Sequence, residues 1–137
     1  MAETIKKVQY FYATIEDKPG TASELLKNLS DRGVNIMAVT AFPLGDGRSQ
    51  VDFFPEKPEE LIKAALDVGV TLVGPKRAFM IQGDDKIGAL HDHHLKLSDA
   101  GINVHAANGV VDGSGRFGYV MWVKPEDYDK AARAFGI

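Results

Sequence analysis

The chain has 137 residues, of which 45% are hydrophobic and 26% charged, with a formal net charge of −3 and no cysteine. These values are typical of a globular protein with one ordinary core or two small ones, and they exclude a disulfide framework. The sequence contains no run of basic residues and no apolar stretch long enough to span a membrane. We therefore expect a cytoplasmic protein with no nucleic-acid partner and no membrane association.

The first half of the chain begins with a predicted strand, "VQYFYATI" (8–15), and continues into a helix that starts between residues 18 and 21. Pro19 suits a first helical turn, and Thr21 with Glu24 matches a capping box. Two strands follow, "VNIMAVTAFPL" and "SQVDFF", joined by a turn at "GDGR". A second helix is predicted in "KPEELIKAALDVG", and a short strand in "TLVG" (71–74).

The second half repeats this order. A shift of 68 residues places Asp17-Lys18 on Asp85-Lys86 and Gly33 on Gly101. The predicted elements are the strand "RAFMIQ" (77–82), a helix, the strands "INVHAANGVV" and "FGYVMWV" around a turn at "GSGR", and the helix "KPEDYDKAARAFG". The first of these helices has inward positions at Ile87, Leu90, His94 and Leu97. Self-similarity over such a distance indicates a duplicated structural unit.

The predicted fold class is α+β, with two ferredoxin-like βαββαβ plaits in tandem, the second lacking a clear final strand. The predicted domains are residues 1–75 and 76–137. Because the strands are apolar on both faces, we expect the units, or two chains, to pack sheet against sheet or edge to edge. A homodimer or a higher homo-oligomer is the expected assembly.

The loop "EDKPG" after the first strand and "GVNI" at the opening of the second strand resemble the ACT domain family. The later pair, "DDKIG" and "GINV", resembles the same family, with Ile87 in place of Pro19. The resemblance covers nearly the whole chain and implies a stand-alone tandem ACT protein, a regulatory module that binds an amino acid. It also implies a pocket formed by the loop of one domain and the second-strand opening of its neighbour.

Elementary chemistry gives such a pocket a rationale, because a zwitterion needs donors for its carboxylate and acceptors for its ammonium group. A helix N-terminus supplies free N–H groups, a glycine allows close approach, and a carboxylate or an amide can complete the set. The candidate ligand-binding residues carried over from the resemblance are Asp17, Lys18, Pro19, Gly20, Thr21, Asn35, Ile36, Met37, Asp85, Lys86, Ile87, Gly88, Ala89, Asn103, Val104 and His105. The alternative is that these residues serve only the geometry of tight turns and strand ends.

The cluster "HDHH" (91–94) places His91 and His94 within reach of one metal ion. No further ligand completes a known spacing, and the repeat places His93 and His94 on Leu25 and Leu26, so we predict at least one packed histidine and no metal site. The "GDGR" and "GSGR" segments lack the lysine and the helix of a phosphate-binding loop and fit hairpin turns. The sequence predicts no cofactor.

Three functions agree with these observations. The first is a non-catalytic sensor that binds a small amino acid between ACT-like domains. The second is a structural or regulatory subunit of a separate amino-acid biosynthetic enzyme. The third is an acylphosphatase-like enzyme, which is disfavoured because the loops after the first strands contain no arginine and no catalytic motif is present.

Overall fold

The computed structural model describes residues 3–137, which form six strands and four helices in an antiparallel α+β arrangement. The strands are β1 (Thr4–Glu16), β2 (Ile36–Pro43), β3 (Arg48–Pro55), β4 (Val73–Asp84), β5 (Ala106–Val111) and β6 (Arg116–Trp122). The helices are α1 (Thr21–Asp31), α2 (Pro58–Asp67), α3 (His91–Asp99) and α4 (Tyr128–Phe135), the last preceded by a 3-10 turn at Pro125–Asp127. The predicted α+β class is confirmed.

The chain divides into two compact units. The N-terminal unit is Gln9–Lys76, and the C-terminal unit combines the residues up to Val8 with Arg77–Ile137. Strands β1 and β4 each contribute residues to both units. The predicted strands at 71–74 and 77–82 are therefore not separate, because a single strand, β4, runs from Val73 to Asp84.

In the N-terminal unit the strand order is β2, β3, β1, followed by the first residues of β4. Alternate residues of β1 and β3, among them Phe11 and Phe53, face the helices, which add Leu25, Leu29 and Leu61 to the core. The period of two in the strands and the spacing of three and four in α1 bring these apolar side chains to one layer. Leu26, the neighbour of Leu25 on α1, is 44% exposed.

Helix α1 begins at Thr21, within the predicted range, but its cap differs from the prediction. Gly20 occupies the N-cap position with φ of 93°, and no side chain caps the helix. Thr21 is thus the first helical residue and not a capping residue, and Pro19 lies before the helix. Gly33 follows the helix with φ of 73°, the left-handed conformation that glycine favours after a helix C-terminus.

In the C-terminal unit the strand order is β5, β6, β4, followed by the first residues of β1. Phe79 of β4 stacks on Tyr128 of α4, with 4.5 Å between ring centroids, and packs edge to face on Phe135. The Tyr128 hydroxyl donates a buried hydrogen bond to the Ala78 carbonyl at 3.0 Å. These contacts fix α4 on the sheet.

The fourth strand of this unit comes from the opposite end of the sequence. No strand follows α4 in residues 3–137, but Ile5 of β1 packs against the core of the C-terminal unit. Glu3 Oε1 also lies 2.8 Å from Nε2 of the buried His93 on α3, although the angles of this contact do not meet those of a hydrogen bond. The second repeat has no final strand of its own in these residues, and the start of β1 lies beside β4 instead.

Replacing Ile5 by Ala tests this arrangement. Ile5 is partly buried against the C-terminal core, so its truncation should lower the free energy of unfolding by about 1–2 kcal/mol, below the range for fully buried positions. Chemical denaturation measures the loss, and Lys6→Ala at the exposed neighbouring position is the control. Equal stability of the two variants would contradict a role for this segment in the core.

Asp52 of β3 is 5% exposed and accepts a hydrogen bond from Gln50 Nε2 at 2.9 Å. Burial raises the pKa of its carboxyl, while Gln50 and Lys76 act in the opposite direction. The folded protein therefore holds this proton to higher pH than the unfolded chain, and the stabilising contribution is lost as pH rises from the ordinary value of 3.8.

Asp52→Asn should therefore be more stable than the parent protein at pH 7, where the buried carboxyl of the parent is charged. This difference should disappear as the pH falls below the ordinary carboxyl pKa of 3.8. Asp46→Asn serves as the control of opposite sign, because a hydrogen bond from Arg48 lowers the pKa of Asp46. Thermal denaturation of the parent and both variants between pH 3 and pH 7, roughly the carboxyl range, measures how the stability difference of each variant changes with pH. Parallel curves for the two variants would refute the assignment.

Candidate functional site

The loop that precedes α1 is exposed from Asp17 to Gly20. The Asp17 N–H donates to the Gly47 carbonyl at 2.9 Å, which ties the loop to the β2–β3 turn. Lys18 Nζ lies 2.8 Å from a carboxylate oxygen of Glu16, and this hydrogen-bonded contact lowers the pKa of Glu16 and raises that of Lys18. The Thr21 hydroxyl is buried and has no hydrogen-bond partner in residues 3–137.

The opening of β2 contains the other predicted residues of the first copy. The Asn35 side-chain amide donates to Glu56 Oε2 at 3.1 Å, and the Glu56 N–H donates to the Asn35 carbonyl at 3.0 Å. Ile36 packs against the core of the N-terminal unit, and Met37 is exposed. Asn35 thus closes the end of the β2–β3 pair, the structural alternative that the sequence analysis left open.

Strand register separates these two groups within the N-terminal unit. Glu16 pairs with Arg48 at one end of the sheet, and Ile36 pairs with Pro55 at the other. At about 3.3 Å per residue, the length of β3 between them is roughly 20 Å. The structure does not bring residues 17–21 and 35–37 of the same unit together.

The second copy repeats this geometry. The Asp85 N–H donates to the Gly115 carbonyl at 2.9 Å, and the His105 N–H donates to the Trp122 carbonyl at 2.8 Å, at the other end of β6. Val104 packs against the core of the C-terminal unit, whereas Asn103 and His105 are exposed. Residues 85–89 and 103–105 therefore also lie at opposite ends of their unit.

A cavity of about 530 Å³ lies beside the loop of the second copy. The predicted residues that line it are Asp85, Lys86, Gly88 and Ala89, whereas Ile87 is fully exposed and does not line it. Ile87 also lies outside α3, which begins at His91, so its predicted inward helical position is wrong. The lining residues that the sequence analysis did not identify as a site are Leu90, His91, Gly109, Val110, Val111, Phe117, Gly118 and Tyr119.

Tyr119 of β6 and Gly109 of β5 face each other across the strand pair. A Cβ at Gly109 would lie 2.7 Å from Cδ1 of Tyr119, so the ring occupies the space that a side chain would need. The Tyr119 hydroxyl oxygen lies 2.8 Å from His94 Nε2, and burial raises the pKa of this phenol. A glycine inside a strand pattern is the sequence signal that marks such a close approach.

Val111 and Phe117 also line the cavity, where β5 ends and β6 begins. Val111 pairs with Phe117, and the turn that joins the strands is a tight hairpin in which the Asp112 carboxylate accepts from the Ser114 and Arg116 N–H groups. These backbone hydrogen bonds lower the pKa of Asp112. The "GSGR" segment is thus a hairpin turn, as predicted.

No protein-family model matches the sequence, and the comparison with curated proteins finds no match. Solved structures do match the fold. The protein BT0572 from Bacteroides thetaiotaomicron is 16% identical, with a TM-score of 0.82 over 96% of this chain and 88% of that chain. The regulatory subunit of aspartate kinase from Thermus thermophilus is 19% identical, with a TM-score of 0.66 over 98% of this chain and 94% of that chain.

A third structure, the regulatory subunit of aspartate kinase from Thermus flavus, is 18% identical, with a TM-score of 0.61 over 98% of this chain and 94% of that chain. The chain has an ACT-type fold. The resemblance seen in "EDKPG" and "GVNI" is confirmed at the level of the fold, and the likeness extends over nearly the full length of the aspartate kinase subunits.

The histidines of α3 do not converge on a common point in this ACT-type fold. His91 Nδ1 lies 3.5 Å from Asp92, His93 is 3% exposed beside Glu3, and His94 contacts Tyr119. His93 is thus the packed histidine that the repeat predicts. Among residues 3–137 no group of three or more metal-binding side chains occurs, and no helix in that range is long and apolar enough to cross a membrane.

Replacing Gly109 by Ala tests the close approach that shapes the cavity. The new Cβ would meet the Tyr119 ring at 2.7 Å, so the ring or strand β5 must shift, at a cost of about 1–3 kcal/mol in the free energy of unfolding. Chemical denaturation measures the cost. Gly118→Ala is the control, since a Cβ there meets nothing within 4 Å, and a loss as large as that of Gly109→Ala would contradict the steric explanation.

Proposed function

We propose that this protein is a non-catalytic regulatory sensor that binds a small amino acid at an ACT-like domain. The full-length likeness to regulatory subunits supports a regulatory role. The cavity beside residues 85–90 is the single observation that carries the binding proposal, because it places a carboxylate, an ammonium group and exposed backbone next to an apolar wall. Such a combination suits a zwitterion that carries a small side chain.

We propose residues 1–75 and 76–137 as two ACT-like domains of ferredoxin-like design, apart from the start of β1, which belongs to the C-terminal unit. In each unit the loop and the second-strand opening lie at opposite ends of the sheet. A pocket built from both must therefore combine different domains or different chains. We accordingly propose a ligand at a domain interface, in which residues 17–21 or 85–89 face residues 35–37 or 103–105 of a neighbour, and a homodimer as the smallest assembly.

The second candidate function is a regulatory subunit of a separate amino-acid biosynthetic enzyme. One observation favours it: the match covers 94% of the Thermus thermophilus protein, which is a regulatory subunit of an aspartate kinase. A sensor that acts alone and a subunit differ in their partners. Affinity capture from the source cell, in which an amino-acid kinase co-purifies at a fixed ratio, would favour the subunit.

Thermal denaturation in the presence of each of the twenty amino acids tests the binding proposal. A ligand present at one hundred times its dissociation constant should stabilise the fold by about 2.7 kcal/mol, since it binds only the folded state. The N-acetyl and amide derivatives of the stabilising amino acid are the controls, because each removes one charge of the zwitterion. If no amino acid raises the melting temperature, the proposed function is wrong.

A further inference from the structure

The two copies of the repeat differ at Tyr119, which lines the cavity, and at His94, which contacts Tyr119 from α3. His94 and Tyr119 of the C-terminal unit correspond, at the shift of 68 residues, to Leu26 and Val51 of the N-terminal unit. Gly109, which leaves room for the tyrosine ring, corresponds to Ala41. A polar pair and the glycine that accommodates it therefore occur together in one copy and are absent together from the other.

The polar pair retains hydrogen-bonding capacity. A phenol has one donor and two acceptor sites, and the 2.8 Å contact between Tyr119 and His94 uses one of these. If His94 Nε2 accepts the Tyr119 hydroxyl proton, the phenol oxygen can still accept a hydrogen bond from another group. If Nε2 carries a proton and donates it to the phenol oxygen, the hydroxyl proton can be donated to another group. The pair can thus serve either a donor or an acceptor on a ligand, according to the tautomer of His94.

The rest of the cavity restricts the charge of a side chain that enters it. Leu90, Val111 and Phe117 line the cavity near Tyr119, and Gly109 adds no polar side chain. Burying a charge against such a wall is costly, whereas a neutral hydrogen-bonding group needs only one partner. The ionic groups of the lining, Asp85 and Lys86, are exposed on the loop and suit the two charges of the amino-acid backbone.

We propose that Tyr119, positioned by His94, is the specificity-determining residue of the amino-acid site. It selects a neutral side chain that carries a hydroxyl or amide group over the apolar side chain of the same shape. Because the N-terminal unit has Val51 and Leu26 at these positions, the chain binds one ligand, in the C-terminal unit. This inference rests on the proposed function and adds the ligand class and the stoichiometry.

Isothermal titration of the full chain with pairs of similar shape tests the selection: threonine against valine, serine against alanine, and glutamine against methionine. The polar member of the preferred pair should bind about 3- to 10-fold more tightly, the range that one neutral hydrogen bond supports. The expected stoichiometry is one ligand per chain. Equal affinity within every pair, or a preference for the apolar member, would overturn the inference and leave the proposed function intact.

Tyr119→Phe is the decisive variant, since it removes the hydroxyl and keeps the ring. In this variant the polar and apolar members of the preferred pair should bind with affinities within about twofold of each other. The affinity for the apolar member should be the same as in the parent protein. Tyr12→Phe removes a hydroxyl from the N-terminal unit and should leave the ratio unchanged. His94→Leu, which copies Leu26, should reduce the ratio if Tyr119→Phe proves unstable.

If Tyr119→Phe prefers the polar amino acid as strongly as the parent protein does, Tyr119 is not the specificity-determining residue. A stoichiometry of two ligands per chain would also contradict the inference. If no amino acid binds to the parent protein, the proposed function and this inference both fail. That outcome differs from binding without discrimination, which overturns the inference alone.

Discussion

The strand register of each unit is the constraint on which the interpretation depends. In an antiparallel sheet ordered β2, β3, β1, the end of β1 and the start of β2 lie at opposite ends, because the strand between them runs the full distance. The same holds for β4 and β5 on either side of β6. The loop and the second-strand opening of one unit are thus roughly 20 Å apart, so they cannot share a pocket within that unit.

Duplication followed by divergence explains why the two copies offer different surfaces. The turns and helix ends are retained, as the left-handed Gly33 and Gly101 show. Positions beside the first helix have diverged further, so that a histidine and a tyrosine in one copy stand where the other has leucine and valine. Backbone geometry constrains the first group, whereas only local packing constrains the second. Divergence at the second group can change the local surface without changing the fold.

The sequence predicts most of the helices and strands because its apolar residues recur at clear helical or strand spacings. The helix of 58–67 and the hairpins of β2–β3 and β5–β6 follow directly from period and turn chemistry. The sequence predicts separate strands at 71–74 and 77–82, since Gly74 and Pro75 are typical of a break, yet one strand runs through them from Val73 to Asp84. The capping box failed since Gly20, not Thr21, takes the cap position. These errors arise where tertiary packing decides between locally acceptable alternatives.

The candidate site was only partly predictable, for a related reason. Turn motifs identify the loop at 85–89, since they are contiguous in sequence. Gly109 and Tyr119 become neighbours only through strand register, and His94 joins them from a helix, so no linear pattern links the three. Gly109 alone gave a signal, and that signal indicates a close approach without naming the residue that approaches.

The start of β1 limits how far each repeat can be treated as an independent domain. A fragment cut between residues 75 and 76 would separate the C-terminal unit from the start of β1, which holds Ile5 in its core. The same cut would leave Lys76, which lies 5.6 Å from the Tyr12 ring centroid, outside the N-terminal fragment. The repeat boundary in the sequence and the boundary of compact structure therefore differ, because the C-terminal unit takes the start of β1 from the first repeat.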